Sequence, residues 1–208
     1  MTESLSAGFV DTVGDAQSCF RMVLDAMARP GRVHAVEGVT APTPLCNATA
    51  AVVLTLVDHE TRLWLDPKAA GARDWIAFHT GAPMVEDPAR AMFAVVLSLE
   101  RPEAANAVSS RPDLPPSIMT GLPVGTDEAP ETSATIILQV ASLTIGRDFV
   151  LEGPGLREPA MLRVDGLPAD FVNMWQCNHA LFPCGIDLIL CADNQVAALP
   201  RSVTVREA

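Results

Sequence analysis

One carboxylate stands inside an otherwise apolar run, Phe182-Pro183-Cys184-Gly185-Ile186-Asp187-Leu188-Ile189-Leu190. The chain turns at Pro183 and Gly185, and four of the five residues from Ile186 to Leu190 are apolar, which suits a buried strand better than a helix. An unpaired buried charge is too costly to persist, so Asp187 must be paired, protonated or turned outward. The sequence predicts a carboxylate tied to backbone amides or to an arginine near the turn. Arg21, His79 and Arg201 are the other candidates for an anion or partner contact, because the forked donors of arginine bind phosphate-type oxygens in pairs. Arg21 also fits an exposed ion ladder with Asp25 and Arg29, spaced four apart. His79 falls in the last turn of a predicted helix, where a charged imidazole is favoured by the helix dipole.

Cys177, His179 and Cys184, with Cys191 seven residues on, have the thiolates and imidazole that suit zinc. The tight Cys-x-x-Cys spacing is missing, and an extended strand would put Cys191 roughly 20 Å from Cys184. Buried cysteines also behave as small hydrophobes, so the expectation is no metal site. Zinc held by the first three residues stays open as the alternative.

The other chemistry fails on residue type. Lys68 is the single lysine against thirteen arginines, and tyrosine is absent. A phosphate-cradling loop needs glycines before a lysine and a hydroxyl after it, whereas Lys68 stands between Pro67 and Ala69. The same lysine sits in a polar loop that would not lower its pKa, which argues against a Schiff base and a pyridoxal phosphate cofactor. The hydrolase elbow Gly-x-Ser-x-Gly and the dinucleotide fingerprint are missing. His59-Glu60 opens like a zinc-protease motif, but Leu63 stands where its second histidine belongs. No self-sufficient catalytic set, and no cofactor, is expected.

The 208 residues are 49% hydrophobic and 19% charged, enough for a substantial core and one domain spanning 1–208. A formal charge of −11 repels nucleic acid and anionic membrane surfaces. No apolar window is long enough to span a bilayer, the first residues lack a signal-peptide pattern, and five cysteines form no secreted scaffold. The expected location is cytoplasmic.

The elements that must position these residues follow from punctuation and periodicity. Asp15 caps a first helix whose stripe is Phe20, Val23, Leu24 and Met27, ended by Pro30-Gly31. A short strand at Arg32 to Val36 leads through Pro42-Thr43-Pro44 to a second, all-round apolar helix, Ala48 to Val57, capped by Asn47. Strand Thr61 to Leu65 follows. A third helix, Arg73 to Thr80, turns Trp75, Ile76 and Phe78 inward and stops at Gly81 and Pro83. Met92 to Leu99 reads as a strand and Pro102 to Val108 as a short helix. The stretch from about 109 to 133 is rich in Pro, Gly and Ser and long for a bare connection, so it is expected to be mobile or covered by a partner. Strands at Ala134 to Ala141 and Asp148 to Glu152 precede the turn Gly153-Pro154-Gly155. A helix from about Ala169 carries Phe171, Met174, Trp175 and Leu181. Asp193-Asn194 turns the run ending at Leu190 into a hairpin with Val196 to Leu199, closed by Pro200-Arg201. Helices interleaved with strands, one hairpin among them, give a mixed sheet with helices packed on it.

Taken together, these segments resemble the PhnH subunit of the bacterial carbon-phosphorus lyase core complex from about Phe9 to Val205. The resemblance rests on Asp15-Ala16-Gln17 with Phe20-Arg21, Ala26-Met27 and Pro30-Gly31. It continues through Leu54-Thr55-Leu56 with Asp58, Phe78-His79-Thr80 with Ala82-Pro83, and Ala134-Thr135 with Leu138-Gln139-Val140. It ends on Phe182-Pro183, Gly185 to Leu190 and Pro200-Arg201. It implies an α/β, three-layer protein with a mixed β-sheet flanked by helices, similar to a pyridoxal phosphate transferase large domain without the cofactor. It also implies a homodimer that works with the other core subunits in making ribose 1-phosphonate 5-triphosphate from ATP and an alkylphosphonate, a transferase reaction of the assembly. No catalytic residue carries over. Where the resemblance leads one to expect leucine in Phe-Pro-Leu-Gly-Ile-Asp, this chain has Cys184, which reads as a packing substitute. The competing reading is an autonomous small-molecule enzyme that uses Arg21, His79, Asp187 or Arg201 around an anion pocket.

Overall fold

The computed structural model describes residues 7–99 and 118–208. The helix expected at Pro102 to Val108, and 109–117 of the long connection, lie outside the described residues.

Helix α1 (Gly14–Ala28) leads to the two-residue strand β1 (His34–Ala35), then α2 (Asn47–Leu56), β2 (Leu63–Leu65), α3 (Arg73–Thr80) and β3 (Phe93–Val96). Beyond the undescribed segment come β4 (Thr135–Gln139), β5 (Ser142–Glu152), β6 (Ala160–Asp165), α4 (Phe171–His179), β7 (Asp187–Ala192), β8 (Gln195–Leu199) and β9 (Thr204–Glu207). A six-stranded mixed sheet has the order β1-β8-β7-β4-β3-β2. Strands β2, β3, β4 and β7 are parallel, and the β7–β8 hairpin and β1 extend the sheet antiparallel. Leu63, Phe93, Thr135 and Asp187 stand in register across the first row of the parallel strands. Strands β6, β5 and β9 form a second, antiparallel sheet.

The pleat of the large sheet feeds two cores. Ile137, Ile189, Cys191 and Val196 face the helices α1, α2 and α3. Ile136, Leu138, Leu188 and Leu190 face the opposite way, toward Phe149, Leu162 and Val205 of the small sheet and toward Phe171 and Trp175 of α4. The result is α/β with mixed sheets flanked by helices, but one flank is mostly a second sheet. Near-complete burial explains why the large sheet's central strands read as continuous apolar runs.

Several local expectations are corrected. On α1 the buried residues are Cys19, Val23 and Ala26, while Phe20 and Leu24 are 50% and 57% exposed. Apolar residues on two sides of this helix made the stripe ambiguous. Asp11, rather than Asp15, serves the first turn: its carboxylate accepts from the Val13 and Gly14 amides, and the Asp15 carboxylate accepts the Asp11 amide in return. Phe78 is 68% exposed, not inward. Asn47 lies inside α2, and its side chain accepts the Ala41 amide instead of capping. Strand β1 is shorter than expected, β5 begins six residues earlier, and β6 and β9 were not anticipated. Residues 118–133 hold two short 3-10 turns, with Met119 and Leu122 buried and the Pro123 carbonyl accepting the Ala134 amide. No helix among the described residues is long and apolar enough to cross a membrane.

The start of α2 is closed from a distance. Gln139, at the end of β4, accepts from the Cys46 amide at 2.7 Å and from the Thr49 hydroxyl at 3.1 Å, and donates to the Pro44 carbonyl at 3.1 Å. Gln139→Ala strands all three groups in a partly buried setting, so it should cost about 1 to 3 kcal/mol. Urea unfolding checks this; a change below about 0.5 kcal/mol, typical of a surface site, would contradict the assigned role.

Candidate functional site

Asp187 opens β7, and Arg201 stands just past the end of β8, so the hairpin returns one to the other. The Asp187 carboxylate accepts the Arg201 backbone amide at 2.7 Å. It also accepts the guanidinium twice through Nε, at 3.2 and 3.1 Å, and once through Nη2 at 2.5 Å. Arg201 Nη1 donates to the Pro130 carbonyl at 3.0 Å, and the Arg201 carbonyl lies 2.8 Å from His179 Nδ1. The two side chains are only 14% and 15% exposed. One pair therefore fastens β7, the end of β8, the 118–133 segment and the last turn of α4.

The turn before Asp187 is fastened separately. Asn178 is 5% exposed; its amide donates to the Ile186 carbonyl and its side-chain oxygen accepts the Ile186 amide, both at 2.8 Å. Gly185 has φ +115°, and a Cβ there would come within 3.0 Å of the Asn178 carbonyl, so the position admits only glycine without strain. Its amide donates to the Val124 carbonyl. Beside it, the Cys184 thiol reaches Asp127 at 3.8 Å. Loss of solvent, then the Asp127 carboxylate, pushes the Cys184 pKa up, against an opposing pull from Arg201. A thiol held protonated is a poor nucleophile and a poor metal ligand.

The remaining candidates lie apart from this clasp. Arg21 sits on the outer face of α1, and among the described residues no hydrogen bond or ion pair engages its guanidinium. The expected ladder does not form through it. Asp25 instead faces Arg29, Arg32 at 3.4 Å and His34 at 3.1 Å. His79, on α3, packs its ring against Trp75 at 4.6 Å and Phe78 at 5.0 Å. Cys191 is fully buried, and desolvation holds its pKa well above the usual thiol range. Among the described residues no group of three His, Cys, Asp or Glu is placed to hold a metal ion, so Cys177, His179, Cys184 and Cys191 do not assemble. Lys68 is exposed in the 3-10 turn Pro67–Ala72.

Both Asp187 oxygens and every guanidinium nitrogen of Arg201 bond within the protein, and the Nε–Nη2 fork is taken by Asp187. The position agrees: open α/β sheets bind ligands outside the carboxyl ends of their parallel strands, and Asp187 stands at the amino end. The arrangement can transmit position between these elements. Asn178 and Gln139 went unnoticed in the sequence because their partners are eight residues away and more than ninety residues away, with no local motif to mark them.

A family model described as PhnH, bacterial phosphonate metabolism protein, matches residues 7–206. A protein of Rhizobium meliloti (strain 1021) named alpha-D-ribose 1-methylphosphonate 5-triphosphate synthase subunit PhnH is 38% identical over 200 residues, covering 95% of this chain and 93% of its own. A protein of Stutzerimonas stutzeri named putative C-P lyase subunit protein HtxG is 29% identical over 194 residues, covering 91% and 85%.

Two outcomes follow from the clasp. Asp187→Ala leaves the Arg201 amide without an acceptor and its nearly buried guanidinium without its counter-charge, and should cost about 3 kcal/mol, the lower end for breaking a buried pair; an unchanged melting temperature would contradict it. Alkylation of Cys184, followed by peptide mass mapping, should have its midpoint above the usual thiol pKa of about 8.5. Asp127→Asn should lower that midpoint, and no movement would remove Asp127 as a cause.

Proposed function

The chain belongs to the PhnH family of bacterial phosphonate metabolism proteins, and from that premise we propose that it is a subunit of the carbon-phosphorus lyase core complex. In that assembly it supports formation of ribose 1-phosphonate 5-triphosphate from ATP and an alkylphosphonate. It carries no self-sufficient active site. The observation that supports this best is the closure of the Asp187–Arg201 pair on the protein's own groups, where candidate residues come together among the described residues. The names of the two relatives, a synthase subunit and a carbon-phosphorus lyase subunit, point the same way.

The fold reading within this proposal is a single domain related to a pyridoxal phosphate transferase large domain that has given up its cofactor. Two cores on opposite faces of one sheet favour one domain. An exposed Lys68 as the single lysine favours loss of the Schiff base. The protein acts in the cytoplasm as a homodimer when alone and docks with the other core subunits when assembled. The exposed part of the stretch at 118–133 is covered by a partner in that state.

The test is reconstitution from purified subunits. Omitting this chain should abolish ribosyl-phosphonate synthesis while the chain alone shows none, and the tagged chain should bring down the other subunits. Synthesis at an unchanged rate without it would overturn the proposal, and turnover by the isolated chain would reinstate an autonomous enzyme.

A further inference from the structure

We draw no further inference here: the strongest candidate, the pair of shallow grooves flanking the exposed Arg21 on the outer face of α1, carries nothing because nothing in the structure shows what covers it.

Discussion

A charge at the head of a buried strand has to be answered, and in this protein the answer to Asp187 organises the end of the fold. The carboxylate sits in the first row of the parallel strands, where β7 enters between two cores. Its partner comes from the far end of the same hairpin, so β7 and β8 must keep their register for the pair to form. Arg201 also gives an Nη1 donor to Pro130 and its carbonyl to His179, which draws in a loop and a helix that share no strand pairing with it. A desolvated ion pair adds little net stability over a well-packed apolar substitute, but breaking it is costly. Its value here is to specify one arrangement of four elements.

The same constraint separates scaffold from site. Arg201 has the right residue type for a phosphonate and lies beside a thiol and an imidazole, yet its fork is already closed on a carboxylate. Cys184 is held protonated by the same surroundings. The outer face of α1, by contrast, leaves Val13, Phe20 and Leu24 exposed.

Much of this was legible in the residues. The central strands announced themselves as apolar runs, and the Asp193 turn, with φ +49°, was marked by Asp-Asn. The buried carboxylate demanded a partner before any partner was visible. The small sheet was harder to see. Strand β6 alternates exposed Met161, Arg163 and Asp165 with buried Leu162 and Val164, a weak half-buried signal next to the Gly-Pro-Gly turn. On α1 the sequence offered two apolar faces and no means of choosing, because the choice depends on which face meets α2 and the sheet. Asn178 and Gln139 were invisible for a related reason: each closes a backbone gap brought near only by the completed fold. Arg21 and His79 were selected for residue type, and type alone does not place two helices' side chains beside a strand.

The most direct test compares activity with occupancy. The core complex would be reconstituted with Asp187→Ala, and ribosyl-phosphonate synthesis measured per assembled complex, with assembly quantified independently. A structural clasp predicts that synthesis falls only as far as assembly falls, so the activity per intact complex matches the wild type. Full assembly with synthesis abolished would contradict the account and make Asp187 a participant in the chemistry.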